Sequence, residues 1–271
     1  MLSLSYGKDS LACLEAIRQL GWPLDRIVHA EVWATDTIHA DLPPMVEFKA
    51  KADAIIKERY GIEVEHRRAE NTFESAFYLK RGHSGRQTKH LGKRYGWPMT
   101  RGNWCLQQLK LPALKTAHDG CNIQYLGIAA DEPERIARHD KPGYALPLVA
   151  IGWDEATCRK WCEDNDLLSP IYTTAARGGC WFCHNQSIGQ LRLLRKMYPD
   201  LWALMLKWDA DSPVTFKPDG HTVRDFDARF AAEDAGIVPT DNTFRWEMLG
   251  LKIKPRRVEI PGQLDMFGGG I

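Results

Sequence analysis

No stretch of the sequence stays apolar for the roughly 18 residues that a membrane-spanning helix needs, so no membrane partner is expected. The first residues carry no basic leader, and Lys8 and Asp9 interrupt the only apolar run there. That excludes a recognisable secretory signal and leads us to expect a cytoplasmic protein. Excess charge of one sign is also missing. Lys and Arg number 36 against 35 Asp and Glu, a net charge of +1, so any nucleic-acid contact must come from local patches. Internal repeats are absent, and so is the Gly-x4-Gly-Lys-Ser/Thr phosphate loop. Cysteine is sparse, with seven residues and none after Cys183. In a reducing compartment such cysteines read as thiols or metal ligands rather than a disulfide framework. Tryptophan, at ten residues, is plentiful, and composition alone does not explain it.

The length, 271 residues, suits one large domain or one domain with an appendage. Residues 2–5 read as a short strand, and 9–20 as a helix with Leu11, Leu14, Ile17 and Leu20 on one face. Strands at 26–34, 62–68 and 123–129 alternate with helices at 45–61 and 103–118. A further helix is expected over 154–166, where Asp154 and Glu155 suit a helix N-terminus. The alternation predicts an α/β fold, a Rossmann-like parallel sheet with helices on both faces. Residues 191–211, broken at Pro199, point to a mainly helical C-terminal extension. We expect an α/β domain over 1–175, a Cys-x2-Cys loop and helical region over 176–255, and a flexible tail over 256–271.

The segment Ser5-Tyr6-Gly7-Lys8-Asp9-Ser10 falls where the first strand meets the first helix. A helix N-terminus presents backbone N–H groups to an anion. Gly7 permits close approach of a phosphate, Lys8 adds a cation, and Ser5 and Ser10 add hydroxyls. Asp9 suits a helix cap or a metal ion instead. A plain helix cap on a Rossmann-like unit is the simpler alternative.

These six residues resemble the SGGKDS PP-loop of the adenine nucleotide alpha-hydrolase superfamily, with Tyr6 in place of the first glycine. WATDTIHADLPPMVEF (33–48) resembles the segment after the second strand in sulfonucleotide (PAPS and APS) reductases. YGWPMTRGNWCLQQLK (95–110), LGIAADEPERIAR (126–138) and 147–172 resemble further segments of phage and bacterial PAPS-reductase-like proteins, a branch near DNA phosphorothioation enzymes. The likeness covers about residues 2–187. It implies a PP-loop (HUP-type) fold that binds ATP, or PAPS or APS, with Mg2+. It implies nucleotide contacts at Ser5, Tyr6, Gly7, Lys8, Asp9, Ser10, Asp36, Thr37, Gly127, Asp131 and Arg135, with Lys8, Asp9 and Lys110 catalytic. Ala129 stands where the family has arginine, and Arg135 or Arg138 is expected to take over that contact.

Cys180-Trp-Phe-Cys183 is a metal-chelating spacing with Gly178 and Gly179 ahead of it. By the resemblance, Cys105 is the third ligand of a [4Fe-4S] cluster that leaves one iron open to carry sulfur. The alternative is zinc, with His184 or Cys121 as the fourth ligand. Cys13, Cys158 and Cys162 read as small buried hydrophobes. Lys80 to Arg101 is basic without an acid, and Tyr95 and Trp97 lie in it, so a DNA or RNA acceptor is one expected partner. Gln263-Leu-Asp-Met-Phe267 resembles the peptide that binds the bacterial sliding clamp. His29, His39, His66 and His139 receive no role. Three functions stay open: iron–sulfur-dependent sulfur transfer to a nucleic acid by α–β cleavage of ATP, a thiol-dependent PAPS or APS reductase, and a nucleotide-binding module with structural zinc. The absence of cysteine after Cys183 weighs against the reductase, whose nucleophile lies in a C-terminal Glu-Cys-Gly-Leu-His segment.

Overall fold

A computed structural model describes residues 1–82, 91–98, 104–118, 120–173 and 178–250. The chain runs β1 (Leu2–Ser3), α1 (Lys8–Leu20), β2 (Ile27–Glu31), α2 (Pro43–Tyr60), β3 (Val64–Arg68) and α3 (Phe73–Tyr78). A π-helical turn (Leu106–Lys110) leads into α4 (Leu111–His118), followed by β4 (Gln124–Tyr125), α5 (Pro133–His139), β5 (Tyr144–Ala145), α6 (Pro147–Ala150) and α7 (Glu155–Asp164). After a 3₁₀ turn at Pro170–Thr173 come α8 (Ile188–Met197), α9 (Pro199–Asp211), α10 (Val223–Asp234) and a final 3₁₀ turn, Trp246–Leu249. Among the described residues no helix is long and apolar enough to cross a membrane.

The five strands form one parallel sheet in the order β3-β2-β1-β4-β5. This is the expected Rossmann-like α/β fold with helices after it. The strands are shorter than the sequence pattern implies, and β4 holds two residues where seven were expected. The order reverses between β1 and β4. In open α/β sheets that reversal opens a crevice at the carboxyl ends of the strands, where ligands bind.

Each helix closes where its sequence provides. α1 and α2 end on Gly21 and Gly61 in the left-handed conformation, which glycine adopts without a Cβ clash. Thr72, Ser187 and Thr222 form reciprocal capping boxes at the starts of α3, α8 and α10. Asp154 caps α7 through the Thr157 N–H at 2.7 Å.

Two main cores result. One packs α1, with Leu11, Leu14 and Ile17, against β1, α2 and α7. Cys13, Cys158 and Cys162 lie fully buried in it, as the sequence implied. The other is aromatic, built from Phe73, Phe77, Trp97, Trp104, Trp181, Phe182, Trp202, Trp208, Phe216, Phe226 and Phe230. It joins α3 and the cysteine hairpin to α8–α10, and five of the ten tryptophans go there. Trp97 is therefore no stacking platform for a nucleic acid. It is fully buried and donates to Asp209 at 2.9 Å, because the aromatic core draws it in.

Candidate functional site

A cavity of about 400 Å³ opens at the sheet reversal, within the size range of small-molecule sites. Its floor is the turn from β1 into α1, with Ser5, Tyr6, Gly7, Asp9 and Ser10 along it. The Ser5 hydroxyl lies 3.0 Å from the Ser10 hydroxyl, which donates to the Gly7 carbonyl at 3.0 Å. The Lys8 N–H donates to the Tyr172 hydroxyl at 3.0 Å. The N–H groups of Asp9 and Ser10 make no hydrogen bond among the described residues, leaving donors at the positive end of a 13-residue helix. Gly127, after β4, passes directly over this turn. A Cβ there would stand 2.7 Å from the Ser10 backbone nitrogen, so only glycine allows the approach.

Tyr6 holds the turn from below. Its φ of 57° is the left-handed conformation that a glycine would take without strain. Its fully buried ring offsets that cost, edge-on to His29 with centroids 4.8 Å apart. The phenol donates to Asp53 on α2 and lies 3.2 Å from Nε2 of His66 on β3. Burial and the Asp53 carboxylate push the phenol far up, so it stays protonated.

Cations reach the cavity from three other elements: Lys49 on α2, Lys110 on the π turn and Arg135 on α5. The Lys110 ammonium makes no hydrogen bond or ion pair among the described residues. Arg135 is held by Glu132 at 2.6 Å. Lys8 does not border the cavity. Its ammonium is 2.8 Å from Asp9 and 2.8 Å from Glu155. Burial works against the Lys8 charge, but hydrogen bonds to these carboxylates outweigh it and keep the group protonated. Burial raises Asp9 itself, with Lys8 opposing.

A second cavity of about 290 Å³ shares Val32, Lys110, Gly178, Gly179 and Cys180 with the first. Cys105, Cys183 and His184 line it over a floor of Phe73, Leu109 and Phe182. The three cysteines predicted as ligands thus face one space, with His184. Cys121 does not join them. It packs beside Met1, Val28 and Ala117, its thiol 3.6 Å from the Ala117 carbonyl, because the segment after α4 returns beneath the sheet. Burial raises Cys105 and pushes Cys180 up to about 12. Among the described residues, no three His, Cys, Asp or Glu side chains stand close enough as they are to hold one ion.

Comparison with known proteins is silent. The chain matches no family model, no curated protein and no solved structure.

The remaining expected residues divide. Gly127 and Arg135 border the cavity with the turn, whereas Asp36, Thr37 and Asp131 do not. The Asp36 side chain is 94% exposed and 3.6 Å from Arg68. Thr37 is exposed, and Asp131 accepts the Glu155 N–H at 3.1 Å, at the start of α7. Arg138 donates to the Glu134 carbonyl at 3.0 Å and stays outside the cavity. Of the basic stretch 80–101, residues 83–90 and 99–101 lie outside the described residues, as do 256–271 with the clamp-like peptide. In the described part, Arg81 lies over Tyr95 and Arg94 over Tyr78. Sequence reasoning missed His29, Asp41, Lys49, Asp53 and Tyr172. A usable signal existed for two of them: Lys49 and Asp53 are four apart on the helix face that also buries Ala52 and Ile56.

Proposed function

We propose that the chain is a PP-loop nucleotide-dependent transferase, which binds ATP with Mg2+ in the larger cavity and activates an acceptor presented from the smaller one. The observation that carries this reading is the pair of joined cavities. The first is floored by a helix N-terminus with free N–H groups and two hydroxyls, and Lys110 stands at the junction. Phosphates at the Gly7–Ser10 turn would meet oriented donors that need no reorganisation, the main source of rate in phosphoryl-type transfer. Asp9, on the cavity wall, would face their Mg2+. An acceptor oxygen attacking the α-phosphorus would release pyrophosphate, and Lys110 would offset the charge that develops there.

Three thiols and an imidazole make a soft donor set that suits an iron–sulfur cluster or zinc. Cys105, Cys180 and Cys183 would hold the group, and bound iron and sulfide would supply the sulfur chemistry. A nucleic acid is the acceptor class we favour, from the Arg–aromatic pairs at Tyr78 and Tyr95.

The test is pyrophosphate release from ATP by anaerobically purified protein supplied with DNA or RNA, alongside iron, sulfide and zinc counts per chain. Release that falls at least about a hundredfold in Ser10→Ala and Lys110→Met supports the reading. No release and one zinc per chain would leave a binding module.

A further inference from the structure

The larger cavity has two ends on either side of the α1 turn. Toward β4 it ends at Gly127 and Arg135, an anion partner. Toward β2 it is walled by Val32, Ala40 and Met45, and its polar groups there are His29, Asp41 and Lys49. A nucleotide with its phosphates at the turn can place its base at the β2 end, where Val32, Ala40 and Met45 give an apolar wall beside fixed polar groups.

The three polar groups at that end are fixed. Nδ1 of His29 lies 2.9 Å from the Leu4 carbonyl, which can only accept, so Nδ1 carries the proton. Nε2 is then an acceptor, and it takes a hydrogen bond from the Lys49 ammonium at 2.8 Å. Burial, then the nearby Lys49 charge, holds His29 well below the ordinary histidine range, consistent with this neutral tautomer. Lys49, only 8% exposed at its side chain, also donates to Oδ2 of Asp41 at 2.5 Å. Two of its three N–H groups are used, and its charge lies 5.3 Å from the Tyr6 ring centroid. Oδ1 of Asp41 makes no hydrogen bond among the described residues. The β2 end therefore presents one acceptor, Asp41 Oδ1, beside one donor, the third N–H of Lys49.

We propose that Asp41 and Lys49 read the edge of the base and select adenine over hypoxanthine. This rests on the reading that nucleotide phosphates occupy the α1 turn. Adenine carries an exocyclic N–H donor beside a ring-nitrogen acceptor, the complement of the Asp41–Lys49 pair. Hypoxanthine has the same outline with the two roles exchanged: its exocyclic oxygen would face the Asp41 carboxylate, and its ring N–H would face the ammonium. A mismatch of that kind, beside the nearly dry Lys49, leaves groups unpaired on both sides, which is how polar sites reject close analogues. His29 cannot relieve it, because both of its nitrogens are engaged.

Calorimetric titration with ATP, ITP and pyrophosphate in the presence of Mg2+ tests the assignment. ATP should bind at least about tenfold more tightly than ITP. Asp41→Asn keeps an oxygen for Lys49 and turns an amide N–H toward the base. The ATP-to-ITP ratio should then fall to about one or invert, while pyrophosphate binds as before. Lys49→Gln, whose amide can either donate or accept, should erode the ratio in the same way and serves if Asp41→Asn lowers the urea midpoint. Equal binding of ATP and ITP by the wild-type protein, or a ratio unchanged in both variants, overturns the proposal while pyrophosphate binding keeps the phosphate site. Failure of all three ligands to bind overturns both.

Discussion

At the scale of the residue, the site is built by side chains that accept an unfavourable condition for a specific contact. Tyr6 takes a left-handed backbone, Lys49 a nearly dry position, and His29 the loss of its charge. His66 goes the other way. Its Nε2 lies 2.9 Å from Asp53, and that hydrogen bond raises the imidazole above its ordinary value, with burial opposing. A raised histidine contributes stability that is complete below the unfolded-state value and is lost as pH rises through the folded-state value. His66 therefore contributes a downward slope to the urea midpoint between about pH 6 and 8, opposed by the lowered His29, and Asp53→Asn should remove the His66 part of the slope. The readout is the slope, because Asp53→Asn also alters the Tyr6 contact and shifts the whole curve. A slope identical in both proteins would remove His66 from the account.

At the scale of the element, the C-terminal helices are joined by one buried carboxylate. Glu233 on α10 receives Arg192 of α8 at 2.6 and 3.0 Å and Arg229 of its own helix at 2.7 Å. Burial would raise Glu233, but the two guanidiniums outweigh it and hold it below the usual range. Its contribution is present above the unfolded-state value and lost as pH falls through the folded-state value. Removing one partner of a buried ion pair strands the rest. Glu233→Ala should cost about 3 to 5 kcal/mol in urea denaturation at neutral pH, and the difference from wild type should shrink in acid. The π turn before α4 is the other telling element. It carries Lys110 to the junction of the two cavities, and π turns occur often at functional sites.

At the scale of the whole molecule, the aromatic core decides how the parts hold together. Trp208 on α9 stacks on Trp181 of the cysteine hairpin, centroids 5.6 Å apart, and donates to Glu74 of α3 at 3.0 Å. The hairpin is further tied to the α/β part by the Trp181 N–H to the Ala40 carbonyl at 2.9 Å and its indole to the His39 carbonyl at 2.8 Å. The C-terminal helices are thus part of the wall behind the smaller cavity. Trp208→Ala should cost about 3 to 5 kcal/mol, and far-UV circular dichroism and tryptophan fluorescence should lose structure in one shared transition. Two separated transitions in the wild-type protein would show instead that the extension folds independently.

Local pattern was enough for the α/β class, the order of most elements, the α1 turn with Gly7 and Ser10, and the burial of Cys13, Cys158 and Cys162. These follow from periodicity and from neighbours within one turn, which a sequence carries directly. Strand lengths were over-read, because apolar residues continue past the last ladder bond into loops that are also buried. The turning of Lys8 toward Glu155, the exclusion of Asp36 and Thr37 from the cavity, the separation of Cys121 from the other thiols and the burial of Trp97 were decided only in three dimensions. Each depends on a partner more than sixty positions away or on which side of the sheet a loop returns. The Asp41–Lys49–His29 cluster, though its members lie within twenty positions of one another, was likewise decided in three dimensions: they sit on a strand, a loop and a helix, and only the β2–α2 connection brings them to one wall.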